Sequence, residues 1–102
     1  MSFGRWYPLG EAAAHAPAGP GVLQMRLARG LIDYPTGKSA MLHYELADDV
    51  RAAALRYPSR PGLLCRHTIE MTADDEHGLG GFHDRLVRDF RARFGALPAG
   101  QA

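Results

Sequence analysis

The stretch YPTGKSAMLHYELADDVR, residues 34–51, decides between two folds. Read from GKS, it is the tail of a phosphate-binding loop, which follows a strand and opens a helix in a parallel α/β protein. Read from its spacing, it is a turn, a short strand and a helix start in succession. The phosphate loop needs a glycine five positions before the glycine of GKS, so that backbone amides can curl around phosphate, and that position is Ile32. Gly30 misses it by two residues. After Ser39 the run AMLHY is extended in character, so GKS reads as a hairpin turn. Lys38, Ser39 and the Gly37 amide can there meet a single anion at most.

Working outward, Ala40 to Tyr44 reads as a strand and a helix follows from about Ala47, with Asp48 or Asp49 near its exposed amides. Leu46, Val50, Ala53, Ala54 and Tyr57 recur at helical spacing, and Pro58 and Pro61 end the run. Upstream, Leu23, Met25 and Leu27 alternate with Gln24, Arg26 and Ala28, the pattern of a half-buried strand. Downstream, LLCRHTIEM puts Leu63, Cys65, His67, Ile69 and Met71 on one face of another strand. TADDEHGLGG reads as an acidic, Gly-rich loop. In the last helix Phe82, Leu86, Phe90 and Phe94 recur every four residues, Val87 widens the stripe, and Gly95 and Pro98 close it. The spacing therefore predicts strands near 22–29, 40–45 and 63–71 and helices near 47–57 and 81–94. That order gives an α+β fold, a small three-stranded, mainly antiparallel sheet flanked by helices.

A chain of 102 residues forms one domain around one core. Residues 1–21, with Trp6, Tyr7, Pro8, an Ala-rich piece and the breaker PAGPG, read as an aromatic arm; residues 22–98 read as the core. With 46% hydrophobic and 23% charged residues, the composition is that of a globular protein. The formal charge of +1 supplies no global attraction to nucleic acid or to an anionic membrane, so any such binding needs a local patch. The single Cys65 excludes an internal disulfide, and no apolar run reaches the roughly 18 residues that span a bilayer. Nothing in MSFGRWYPLG resembles a secretory leader, so the expected location is the cytoplasm, without membrane partners.

The chemistry-bearing residues are scattered. The histidines His15, His43, His67, His77 and His83 have no zinc-type spacing. Cys65 and His67 share a strand face and would need a third group and an open cleft to act as a nucleophilic pair. On the last helix Arg85, Arg88 and Arg91 form a basic stripe, partly neutralised by Asp84 and Asp89 and suited to phosphate through the planar guanidinium.

Taken with the order of elements, three segments resemble the GIY-YIG nuclease domain. PGVLQMR is similar to its first strand, with Gly21, Val22 and Leu23 where the family has Gly-Ile-Tyr. HYELADDVRAAAL is similar to its second strand and following helix, with His43, Tyr44 and Glu45 on Tyr-Ile-Gly and the helix Arg falling on Ala53, near Arg51. HDRLVRDFRARFGALPAGQ is similar to its last helix and turn, with Asp84 near the metal-binding Glu and Gln101 near the Asn. The resemblance implies candidate catalytic residues His43, Arg51, His67 and Asp84 and a divalent metal at Asp84; the candidate nucleic-acid contacts are Lys38 and the Arg85, Arg88 and Arg91 stripe, read from their own chemistry. Leu23 lacks the hydroxyl and Ala53 the guanidinium that metal-assisted cleavage uses. The expectation is thus a nucleic-acid-binding or regulatory module without the family's nuclease site. Two alternatives stand: an enzyme using the same cleft on nucleic acid or a small anionic substrate, and a protein-interaction module whose edge strands and arm self-associate.

Overall fold

Side chains along Gly21–Leu27 alternate between two covered faces, and this strand is the centre of the sheet. The computed structural model describes residues 1–58 and 60–101. In chain order the elements are β1 (Ser2–Phe3), β2 (Tyr7–Pro8), α1 (Ala12–His15), β3 (Gly21–Leu27), β4 (Ile32–Tyr34), β5 (Gly37–Ser39), β6 (Met41–Ala47), α2 (Val50–Leu55), β7 (Leu63–Ile69), α3 (Ala73–His77) and α4 (Leu79–Phe94). Strand β3 pairs antiparallel with β6 on one side and β7 on the other. The α+β reading and the three central strands hold.

The two faces differ in what covers them. Leu23, Met25 and Cys65 pack on Ala12, Ala16, Val50, Ala53 and Ala54, so α1 and α2 cover the face carrying the odd-numbered side chains. The alanines let α2 sit close to the sheet. On the other face Val22, Gln24 and Tyr44 lie under α4, with Tyr44 and Phe90 rings 6.2 Å apart. Gly21 is required where α2 crosses β3: a Cβ there would lie 2.8 Å from Thr68 Oγ1 and 2.9 Å from Val50 Cγ2.

Helix ends follow local chemistry. The Asp49 side chain accepts from the Ala52 amide at 2.9 Å and caps α2, which is shorter than residues 47–57 because Ala47 is still paired in β6. Helix α4 begins at Leu79 and stops where Gly95 turns left-handed (φ 77°) and donates to Arg91 O at 2.9 Å.

Three features depart from the sequence reading. The sheet has five strands, because residues of the arm add to the outer edge of β7, Ser2 opposite Ile69 and Tyr7 opposite Cys65. The arm is also part of the core through the buried Tyr7, Leu9, Ala12 and Ala16. GKS is strand β5, paired with β4 in a separate two-stranded ribbon. That ribbon docks on the end of α4, where the Thr36 amide donates to Phe94 O at 3.1 Å and its hydroxyl to Arg93 O at 2.8 Å. The acidic loop contains α3, held by a reciprocal capping box between Thr72 and Asp75. Among the described residues no helix is long and apolar enough to cross a membrane.

Candidate functional site

Strand β6 is bordered by two clusters of polar side chains. Its outward-facing backbone is closed by the segment after α4: Tyr44 N–H donates to Gln101 Oε1 at 3.0 Å, Gln101 Nε2 donates to Tyr44 O at 2.7 Å, and Gly100 N–H donates to Leu42 O at 2.8 Å. His83 Nε2 also reaches Tyr44 O, at 3.2 Å. Beside this closure lies a pocket of about 360 Å³ lined by His83, Asp84, Arg88, Arg91 and Gln101, with Val87 and Leu97 as its apolar wall. Arg88 and Arg91 are exposed, and Arg88 Nε stands 3.7 Å from Asp89. Arg85 is exposed on the same helix but outside the pocket lining. Lys38 lies away from it on β5, paired with Asp33 at 3.4 Å.

The inward side of β6 carries a second cluster. Glu45 accepts from the Tyr57 hydroxyl and from His43 Nε2 (3.1 Å), and Arg56 pairs with its other oxygen. A carboxylate only accepts, and Tyr57 spends its proton on it, so a neutral His43 carries its proton on Nε2. Its Nδ1 is buried without a partner. Burial pushes the Glu45 carboxyl up, but the Tyr57 and His43 hydrogen bonds and the Arg56 charge outweigh it and leave it below the ordinary range. Burial and the Glu45 charge push the Tyr57 hydroxyl up to about 12.

His67 belongs to a third place. His43 is opposite Met25 and His67 is opposite Leu23, so β3 lies between them and their backbones are two strand spacings and two residues apart, about 12 Å. His67 Nδ1 meets Tyr7 OH at 2.9 Å. Burial, with the neighbouring Cys65, pushes the Tyr7 hydroxyl well up, and the His67 ring it meets borders a pocket. That pocket, about 530 Å³, is walled by Trp6, Tyr7, Pro8 and Ile69, with His15 and Glu11 paired at 3.1 Å on its rim. Burial and the nearby His15 push His67 below its ordinary value.

The four candidate catalytic residues do not share a cleft. His43 and His67 lie apart on the face under α1 and α2, whereas Asp84 lies on the solvent side of α4, over the opposite face. Arg51 is a fastener, its Nε donating to Ala16 O at 2.7 Å and its amide to Pro17 O at 3.0 Å. Asp84 has His83 Nδ1 as its neighbour, at 3.2 Å. Among the described residues no three His, Cys, Asp or Glu side chains come together to hold a metal ion, so a divalent metal of the kind the resemblance implies would have Asp84 as its carboxylate, with His83 beside it. Tyr57 escapes sequence reading because its helical spacing marks it as core. Tyr7 and Gln101 act over long sequence separations, although Gln101 is at a position the resemblance singles out. No family model, no curated protein and no solved structure matches this chain.

Proposed function

We propose that the protein is a GIY-YIG-like module that binds nucleic acid through the exposed face of α4 and does not cut it. The carrying observation is the pocket beside β6, where Arg88 and Arg91 stand exposed with Gln101 between helix and strand edge. Guanidinium groups there meet phosphate oxygens bidentately at little desolvation cost. Leu23 and Ala53, at the positions where the resembling family supplies a hydroxyl and a guanidinium, are buried and apolar, which supports binding without cleavage. Anisotropy of a labelled oligonucleotide tests the reading. Affinity falls steeply with salt, and each of Arg85→Ala, Arg88→Ala and Arg91→Ala lowers the log–log salt slope by about 0.7–0.9. Asp84→Asn tightens binding by removing a negative charge from the pocket. Salt-insensitive behaviour, or cleavage that vanishes in Asp84→Asn, would sink the reading.

An enzyme acting on a small substrate is the second reading, and the pocket at Tyr7 and His67 favours it: a mostly apolar cavity with a few convergent polar groups. Turnover of a chromogenic ester panel that disappears in His67→Gln would support it.

A further inference from the structure

We propose that Arg26 and Arg66 form a separate oxyanion site beneath Trp6, taking a phosphate or phosphodiester group. This site is independent of the α4 pocket. Gln24 is opposite Arg66 and Arg26 is opposite Leu64, so the two arginines are diagonal neighbours on the α4 face of the sheet. Both guanidinium carbons lie on the one indole, Arg26 at 4.5 Å and Arg66 at 4.4 Å from its centroid. Arg66 also lies 4.7 Å from the Phe3 ring, and its Nε donates to Gln24 Oε1 at 2.7 Å.

Charge and hydrogen-bond capacity are both left over. None of the ion pairs among the described residues includes either arginine. Arg26 Nε is buried without an acceptor. Burial and the Arg26 charge push the Arg66 guanidinium below its ordinary value, the signature of two cations held together without a counter-ion. Aromatic faces attract both cations but accept no strong hydrogen bond. A tetrahedral oxyanion supplies what is lacking, namely opposite charge and several oxygens matched to two planar forks. Arg26, Arg66 and Trp6 are all partly exposed, so the site is reachable. Trp6 lies between β1 and β2, the two short strands that run along the edge of β7.

Trp6 is the chain's one tryptophan, so its emission reports on the site directly. Inorganic phosphate and pyrophosphate, titrated against chloride at matched ionic strength, give a saturable change that chloride does not. Arg26→Met and Arg66→Met, which keep the aliphatic stems, weaken it at least tenfold, whereas Arg88→Ala with Arg91→Ala leaves it intact even if the α4 reading fails. In the wild type, phosphate also protects Arg26 and Arg66, but not the exposed Arg60, from phenylglyoxal as read by mass spectrometry. An oligothymidylate that displaces pyrophosphate assigns the natural oxyanion to a nucleic-acid backbone; failure to displace it assigns a free phosphate group. A chloride-like wild-type titration, a response that survives both methionine substitutions, or no protection would overturn the site.

Discussion

Gln101 satisfies both backbone groups of Tyr44 with one side-chain amide, accepting from its N–H at 3.0 Å and donating to its C=O at 2.7 Å. The amide acts as a strand residue without a strand. Gln101→Ala leaves the part-buried Tyr44 N–H unpaired and its carbonyl with His83 alone, and is expected to cost about 1–3 kcal/mol by denaturant titration, with faster hydrogen exchange at the Tyr44 amide. Gln101→Glu is worse at neutral pH, because a carboxylate cannot donate to the carbonyl.

Gly21→Ala destabilises by steric crowding. The new methyl meets Thr68 Oγ1 and Val50 Cγ2, both under 3.0 Å, at an expected cost of about 1–3 kcal/mol. Val50→Ala in the same chain relieves part of it, so the double variant is more stable than the sum of the single effects predicts.

Tyr57→Phe removes a hydrogen bond to a carboxylate and lowers stability at pH 7 by about 1.5–3 kcal/mol. The Glu45 pKa is lowered by folding, so its contribution is complete above the unfolded value of about 4.3 and is lost as pH falls through the folded value. Denaturant midpoints followed down through pH 4 therefore drop in the wild type, and this acid limb flattens in Tyr57→Phe.

Acidification also acts through His67. Its pKa is lowered in the folded state, so the unfolded chain takes the proton first; stability is complete above about pH 6.5 and declines below it. Thermal melts of His67→Gln show a smaller loss between pH 6.5 and pH 5 than the wild type. Equal losses in the two proteins would assign that slope to other groups.

Magnesium–ATP and magnesium–GTP find no site at GKS: in the Arg26→Met, Arg66→Met double variant they leave the melting temperature unchanged. GKS is paired backbone in β5, with its amides committed to a strand register opposite Ile32 to Tyr34 rather than curled into an anion cradle. A concentration-dependent rise in Tm in that double variant, lost on Lys38→Ala, contradicts this.

Elements with a repeating pattern were legible and those without one were not. Leu23, Met25 and Leu27 alternate over a full strand, and Phe82, Leu86, Phe90 and Phe94 mark a helix of 16 residues. Strands β1 and β2 have two residues each, too few to show a period, and exist because Phe3 and Tyr7 find partners on β7. Helix α3 carried a local sign in Thr72 and Asp75, overshadowed by its acidic composition. The candidate site was harder still. His43, Arg51, His67 and Asp84 were visible as residue types, but their separation depends on which face each strand presents and on which side α4 settles. Glu45 gained meaning only from Tyr57, 12 residues away and counted as core.

The sheet is finished from both flanks: the segment before β3 lies along β7, and the segment after α4 lies along β6. On a ribosome these two closures occur at different moments. The β7 edge can be covered as soon as β7 emerges, because the arm is already waiting. The β6 edge has to wait until β1 through α4 have been made and Gly100 and Gln101 leave the exit tunnel. A nascent chain stalled after α4 thus holds a folded core with one open flank, and the interval before that flank closes is when strand pairing with a neighbouring chain competes with completion.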